Sequence, residues 1–190
     1  MEAVVESKTF QVPMNAALHD IEIRLAPAMY ILNKLGNKTN KQKLFKILYF
    51  ADKDYISKYG RPFSKDRYIA MSNGPVPSRL YDFIKALEGK SNFPVMPEFL
   101  DEIASFLGVQ EPYFVLSKKE VNLDFLSSAA VACLDKAIQL YKDKTFGDLS
   151  DLSHDGAWRS ADPNSEISVE DIARDAGAND EMIKYIRESN

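Results

Sequence analysis

The feature that most constrains this chain is the segment KLFKILYFADKDYISKYG at residues 43–60. One apolar stripe runs along it at helical spacing and consists of Leu44, Leu48, Ala51 and Tyr55. The remaining sides also carry large apolar side chains, namely Phe45, Ile47, Tyr49 and Phe50. A helix that is apolar on most sides belongs in the centre of a core, because it has no wide polar face for solvent. The capping-box spacing of Thr39 and Gln42 predicts where this helix begins, and Gly60 predicts where it ends.

A second segment, SNGPVPSRLYDFIKAL at residues 72–87, specifies a turn followed by a helix. Asn73-Gly74 is typical of a tight turn, and Pro75 and Pro77 restrict the backbone that follows. Pro77 also suits the first position of a helix. The apolar stripe of that helix comprises Leu80, Phe83, Ile84 and Leu87. We interpret this corner as a rigid mount for the helix and not as a site of chemistry.

The rest of the chain is mostly helical in pattern, with two short runs that favour strands, residues 68–71 and 113–117. We predict a mainly α (α+β) fold: a compact helical domain around the central apolar helix, with a small antiparallel β element made by pairing those two runs. Residues 166–190 suggest two short helices around Gly177, spaced as in a helix-turn-helix. Their seven acidic and three basic residues oppose phosphate binding, so a hairpin that docks on the domain or on a partner is favoured.

The charge of the chain is unevenly distributed. The whole sequence has 24 Lys and Arg and 28 Asp and Glu, a net charge of −4. Residues 34–90 alone have 13 basic and 5 acidic residues, a net charge of +8, which leaves −12 for the remainder. Either the acidic and basic regions complement each other within the fold, or the basic region meets an acidic macromolecule. The overall acidity makes a dedicated nucleic-acid binder the weaker alternative.

The sequence also bears on the compartment. The N-terminal segment MEAVVESKTF has neither the basic nor the apolar region of a secretory signal, and no apolar run reaches membrane-spanning length. A single cysteine excludes an internal disulfide, which suits a reducing environment. These patterns predict a cytoplasmic protein that does not associate with a membrane.

Candidate catalytic and metal-binding groups are few. Cys133 lies among small apolar residues of a predicted helix, where burial makes a thiol unreactive. Asp52 and Asp54 diverge in direction on the central helix, which favours solvent-exposed positions for both. The two histidines are far apart in sequence and no zinc, phosphate-loop or nucleophile motif occurs. We therefore predict no catalytic residue, no metal site, no cofactor and no enzymatic activity.

The segment HDGAW at residues 154–158 allows two interpretations. In the favoured one, Trp158 anchors its loop on the core and His154 caps the preceding short helix. In the other, both side chains contact a partner directly.

Taken in order, these motifs resemble the Panacea domain, the SocA-like antitoxin family, over roughly residues 38–160. The most specific parts are KILYFAD at 46–52, YGRP at 59–62, YIAMSNGPVPSRLYD at 68–82 and the closing LSH…W that ends at Trp158. The resemblance assigns structural motif positions to Tyr49, Phe50, Gly60, Pro62, Gly74, Pro75 and Pro77. It divides the chain into an N-terminal extension (1–25), the Panacea domain (26–163) and a C-terminal helical extension (164–190).

The resemblance implies an antitoxin that neutralises a cognate toxin by direct protein–protein binding. It leaves one alternative, an adaptor that delivers a partner to a ClpXP-type AAA+ protease, and a nucleic-acid-binding regulator is a weaker third. Inhibition by binding needs aromatic and Arg anchors on a rigid surface rather than catalytic groups. Our candidate partner-binding residues are Arg61, Arg67, Arg79, Tyr81, Lys85, His154 and Trp158.

Overall fold

The computed structural model of the chain describes residues 14–92 and 94–189; residues 1–13, the first part of the predicted N-terminal extension, lie outside it. The helices of the described part are α1 (Met14–Lys34), α2 (Lys41–Tyr59), α3 (Ser78–Leu87), α4 (Pro97–Phe106), α5 (Ser128–Tyr141), α6 (Phe146–Ser153), α7 (Gly156–Ser160), α8 (Val169–Asp175) and α9 (Asp180–Ser189), with a 3₁₀ turn at Leu123–Phe125. The strands are β1 (Lys38–Asn40), β2 (Tyr68–Met71), β3 (Gly74–Pro77), β4 (Leu107–Gln110), β5 (Phe114–Ser117) and β6 (Glu166–Ile167). The prediction of a mainly α fold with a small antiparallel element is confirmed.

Helix α2 is the central element, as predicted, and most of its first three turns are buried. Its start differs by one residue from the prediction: Asn40, not Thr39, is the N-cap, and its side-chain oxygen accepts a bond from the Gln42 amide at 2.8 Å. Thr39 instead lies in β1, where it pairs with Val115. Gly60 ends α2 with φ 72°, a left-handed conformation that glycine adopts without steric cost.

Across residues 14–92 and 94–189, the strands form two antiparallel sheets of three strands each, in the orders β1-β5-β4 and β3-β2-β6. The predicted pairing of residues 68–71 with 113–117 is therefore wrong. Gly74, with φ 94°, lets the chain turn tightly after Met71, so β2 pairs with the strand that follows it. Pro75 and Pro77 fit β3 because it is an edge strand and their nitrogens, two residues apart, point to the same side.

In the part of the chain that the structure describes, two hydrophobic cores share α2. The main core fills the space between α2 and the helices α1, α3, α4 and α5. A second core lies on another side of α2 and consists of Tyr49, Ile56, Tyr68, Ala70, Ala157, Ile167, Ile172, Ala173, Ile183 and Ile186. Half of its members come from residues after Pro163, and β6 pairs with β2. The segment that follows Pro163 is thus packed against α2 and the hairpin. Within residues 14–92 and 94–189, no helix has the length and apolarity needed to cross a bilayer.

Candidate interaction site

The turn of the β2–β3 hairpin is held from below by a buried lysine. Lys46 on α2 is only 1% exposed, and its ammonium donates to the Pro75 carbonyl at 2.9 Å. A Cβ added to Gly74 would lie 2.7 Å from Lys46 Nζ and would clash with Ser153 Oγ, so the turn requires glycine for space as well as for its φ of 94°. Burial lowers the pKa of Lys46 to about 7, because desolvation disfavours the charged form.

The same turn is held from the side by His154 and Trp158. Trp158 Nε1 donates to the Met71 carbonyl at 3.0 Å, and His154 Nε2 lies 3.2 Å from the Ser72 carbonyl. The two rings contact each other with centroids 4.0 Å apart. His154 is also the C-cap of α6, as the anchoring interpretation predicts. Direct contact of this pair with a partner stays a prediction.

A buried carboxylate joins α2 to the loop that follows it. Asp52 is 0% exposed and accepts bonds from the Ser64 amide (3.2 Å), the Ser64 hydroxyl and the Tyr68 hydroxyl (2.7 Å). The prediction that Asp52 is exposed is therefore wrong, because the 61–67 loop and β2 cover this side of α2. Burial raises the pKa of Asp52 to about 6, although its hydrogen bonds act in the opposite direction.

Asp66 caps α3 from a distant position in the sequence. Its carboxylate accepts bonds from the backbone amides of Arg67 (2.8 Å), Arg79 (2.9 Å) and Leu80 (3.0 Å). Helix α3 follows Pro77, which has no side chain that could cap it, so the donors of its first turn depend on Asp66. Asp66 thereby fixes the 61–67 loop and the first turn of α3 as one rigid surface.

Four of the predicted partner-binding residues lie on this surface. Arg67 is exposed and pairs with Glu166 at 3.2 Å, and Arg79 donates to the Lys65 carbonyl at 3.1 Å. Tyr81 and Lys85 continue along α3, with the Lys85 ammonium 5.9 Å from the Tyr81 ring centroid. The first helical turns of α3 therefore present cationic side chains next to an aromatic ring.

The other three predicted residues lie outside the α3 part of this surface. Arg61 is exposed in the 61–67 loop itself, at the rim of an open pocket of about 330 Å³. His154 and Trp158 lie at the turn of the hairpin, whereas Tyr68 and Pro77 form the end of the hairpin that leads into α3. The predicted set is thus distributed over three places.

Sequence reasoning missed a charged cluster that joins α2 to the C-terminal segment. The Lys53 ammonium pairs with Asp155 at 2.6 Å and also with Asp175, and Asp155 accepts from the Tyr49 hydroxyl at 2.8 Å. Asp175 in turn accepts from the Gly156 amide at 2.9 Å. The sequence pattern that could have indicated this cluster is the spacing of Tyr49 and Lys53. They are four residues apart and therefore lie on the same side of α2.

Cys133, the remaining candidate for a reactive group, is part of the packed interior. Cys133 is buried and its thiol donates to the Asp54 carboxylate at 3.2 Å. Burial raises the pKa of this thiol to about 11, which leaves it protonated at neutral pH, as predicted for an unreactive cysteine. Among the residues that the structure describes, no group of three His, Cys, Asp or Glu side chains is placed to hold a metal ion.

Comparison with models of known protein families gives a match. The model of the family described as antitoxin SocA-like, Panacea domain, matches residues 44–159. No curated protein and no solved structure gives a significant match. The matched segment covers more than half of the chain and contains Lys46, Asp52, Asp66, His154 and Trp158, which hold the hairpin and α3 in place. The chain belongs to the SocA-like antitoxin family defined by the Panacea domain.

Proposed function

We propose that this protein is an antitoxin that neutralises a cognate toxin by binding it directly. The observation that carries the proposal is the family match over residues 44–159, which includes the whole central helix after Lys43, the hairpin and α3. In this proposal the toxin is a protein whose active surface is covered by the antitoxin, in the same cytoplasm.

The geometry of the motif residues supports binding over catalysis. Lys46, Asp52 and Asp66 are buried, and each of them bonds to backbone or to a neighbouring side chain. Groups engaged in this way stabilise one backbone conformation and do not face a substrate. A preorganised surface loses little entropy on association, and this favours tight inhibition by contact alone.

The test is expression of the adjoining reading frame in a bacterial host, alone and together with this protein. We expect the neighbouring product to arrest growth alone, growth to recover on co-expression, and the two proteins to co-purify as a complex. A neighbour that is harmless alone, or that remains toxic beside this protein, would contradict the proposal.

A second measurement separates direct inhibition from delivery to a protease. We expect the half-life of the toxin to be unchanged or lengthened by this protein, because a bound inhibitor shields its partner. A half-life that shortens on co-expression, and recovers in a host that lacks the ClpXP protease, would replace direct inhibition by the adaptor alternative.

A further inference from the structure

The end of α2 presents two exposed tyrosines beside Gly60. Tyr59 is 45% exposed and Tyr185, on α9, is 53% exposed. The Tyr185 ring packs directly on the glycine: a Cβ added to Gly60 would lie 2.9 Å from two of its ring carbons. The Tyr59 ring is supported from beneath by Tyr55, with centroids 4.3 Å apart. Both rings are therefore held in place while a large part of each faces solvent.

The pocket next to these rings is apolar inside and cationic at its rim. Its volume is about 330 Å³, and its walls include the half-buried side chains of Tyr55, Phe63 and Leu126. Arg61 and Lys65 stand at the rim, and within the described residues neither side chain makes a hydrogen bond or an ion pair. The described residues that line the pocket include no carboxylate.

The backbone at Lys65 is held in an unusual conformation. Its φ is 56°, in the left-handed region that residues other than glycine enter at a steric cost. The carbonyl of Lys65 accepts the bond from Arg79, which connects the rim of the pocket to the surface of α3. The pocket and α3 therefore form one continuous surface.

We propose that the Gly60 face, defined as Tyr59, Arg61, Lys65, Tyr185 and the adjoining pocket, binds an acidic loop of a protein partner. Carboxylates of the loop pair with Arg61 and Lys65, and an apolar side chain between them enters the pocket. This inference rests on the proposed function and names the surface on which the toxin docks.

The chemistry of the face matches that of energetically dominant interface residues. Tyrosine and arginine, together with tryptophan, are enriched among these residues, since they bury large areas and can still form hydrogen bonds. An arginine without an internal partner is free to form a two-pronged bond with a carboxylate. A stable interface buries about 800 Å² on each partner. Because the Gly60 face continues onto α3, the two together offer more area than the face alone.

Charge distribution favours a protein over a nucleic acid as the partner. Helix α9, which carries Tyr185, has three acidic residues (Asp180, Glu181 and Glu188) and two basic ones (Lys184 and Arg187), both of which pair with carboxylates, and the chain as a whole has a net charge of −4. A phosphate backbone that continued from the face along α9 would meet a helix with net negative charge. A protein loop of limited length can place its acidic residues on Arg61 and Lys65 alone.

The test uses the full-length chain and the product of the adjoining reading frame, with affinity measured by titration calorimetry. The charge-reversal variant Arg61→Glu/Lys65→Glu is compared with the control Lys142→Glu/Lys144→Glu. The control changes the net charge by the same amount, at two exposed lysines just after the C-terminal end of α5. The side chains of these lysines likewise make no hydrogen bond or ion pair within the described residues. Tyr185→Ala tests the aromatic part, and circular dichroism confirms that every variant folds.

We expect at least about 30-fold weaker binding for Arg61→Glu/Lys65→Glu, about tenfold weaker binding for Tyr185→Ala, and less than threefold change for the control. Equal affinity of all folded variants would overturn this inference and leave the proposed function standing. Absence of binding by the unaltered chain would contradict the proposed function and the inference with it. Binding of a single-stranded RNA 20-mer that is lost in Arg61→Glu/Lys65→Glu would replace the protein partner by a nucleic acid.

Discussion

At the scale of single residues, Asp52 makes the stability of the fold depend on pH. Its folded-state pKa of about 6 lies above the ordinary value near 3.8, so the folded protein binds more protons than the unfolded chain between these values. The free energy of unfolding therefore falls as pH rises from about 4 to about 6, by roughly 3 kcal/mol. Asp52→Asn should abolish this fall, as measured by urea denaturation across that range.

A second substitution at the same position checks the role of its hydrogen bonds. Asp52→Ala leaves the buried donors of Ser64 and Tyr68 without an acceptor, so we expect a loss of about 3–5 kcal/mol at neutral pH. The asparagine variant keeps an acceptor and should lose less. Equal losses in the two variants would contradict the hydrogen-bonding role.

Lys46 makes stability depend on pH in the opposite direction, and at higher pH than Asp52 does. Its pKa is depressed to about 7, so from pH 7 upward the unfolded chain holds a proton that the folded protein has released. The free energy of unfolding should rise by a few kcal/mol between about pH 7 and pH 10. Lys46→Met should remove that rise in the same denaturation measurement, and a parallel rise in the variant would show that another group is responsible.

Residue-scale prediction from sequence succeeded where local context determines the environment and failed where a distant segment does. Cys133 lies among small apolar neighbours on its own helix, and it is buried as predicted. Asp52 was expected at the surface, but residues 61–67 and β2, which no local pattern places on α2, enclose it.

At the scale of elements, Gly74 determines whether the hairpin can turn. Alanine there meets two penalties, the positive φ and the overlap with Lys46 and Ser153. Gly177→Ala is the matched control, because its φ is 81° and a Cβ there has open space. We expect about 1 kcal/mol of destabilisation for Gly177→Ala and about 3 kcal/mol or more for Gly74→Ala. Similar losses of stability in the two variants, measured by thermal denaturation, would contradict the close packing of the turn.

The start of α3 should depend on Asp66 more than on any residue of the helix itself. Asp66→Ala removes the acceptor for the amides of Arg79 and Leu80, and we expect a loss of about 2–3 kcal/mol. Hydrogen exchange at those two amides should accelerate. Asp82→Ala, an exposed carboxylate on the same helix, serves as the control and should change stability by less than about 0.5 kcal/mol.

Element boundaries were predictable where the cap lies next to the helix. Ser168 and Asn179 immediately precede α8 and α9 and cap them, since each accepts a bond from an amide three residues ahead. The cap of α3 could not be found this way, because its acceptor lies 13 residues before Arg79. Strand β3 was missed because prolines at alternate positions normally argue against a strand, and only its place at a sheet edge permits them.

At the scale of the whole molecule, α8 and α9 are part of the fold and not an accessory. Ile167, Ile172, Ile183 and Ile186 are buried against α2 and β2. We expect the chain ending at Pro163 to lose cooperative unfolding, because it would expose the second core. Cooperative unfolding of that truncated chain near the original melting temperature would contradict this.

The same expectation can be tested without truncation. Ile186→Ala should destabilise by about 2–4 kcal/mol, whereas Lys184→Ala, exposed on the same helix, should have little effect.

The uneven charge of the chain is partly explained at this scale. Lys53, Arg67 and Lys90 of the basic region pair with Asp155, Glu166 and Glu111, so acidic and basic segments do complement each other within the fold. The separation of basic and acidic residues along the sequence could predict that such pairs form. It could not predict that Arg61 and Lys65 have no ion-pair partner among the described residues, since that depends on which side chains the tertiary fold brings within reach.

The position of Trp158 gives the protein an internal optical probe. It is the single tryptophan of the chain, it packs against the second core, and it bonds to the hairpin through the Met71 carbonyl. Indole emission therefore reports on the second core and the hairpin turn, whereas far-ultraviolet ellipticity reports on all helices. Coincident transitions by the two signals would show that both cores unfold as one unit, and a separation between the transitions would show that the second core unfolds independently of the main core.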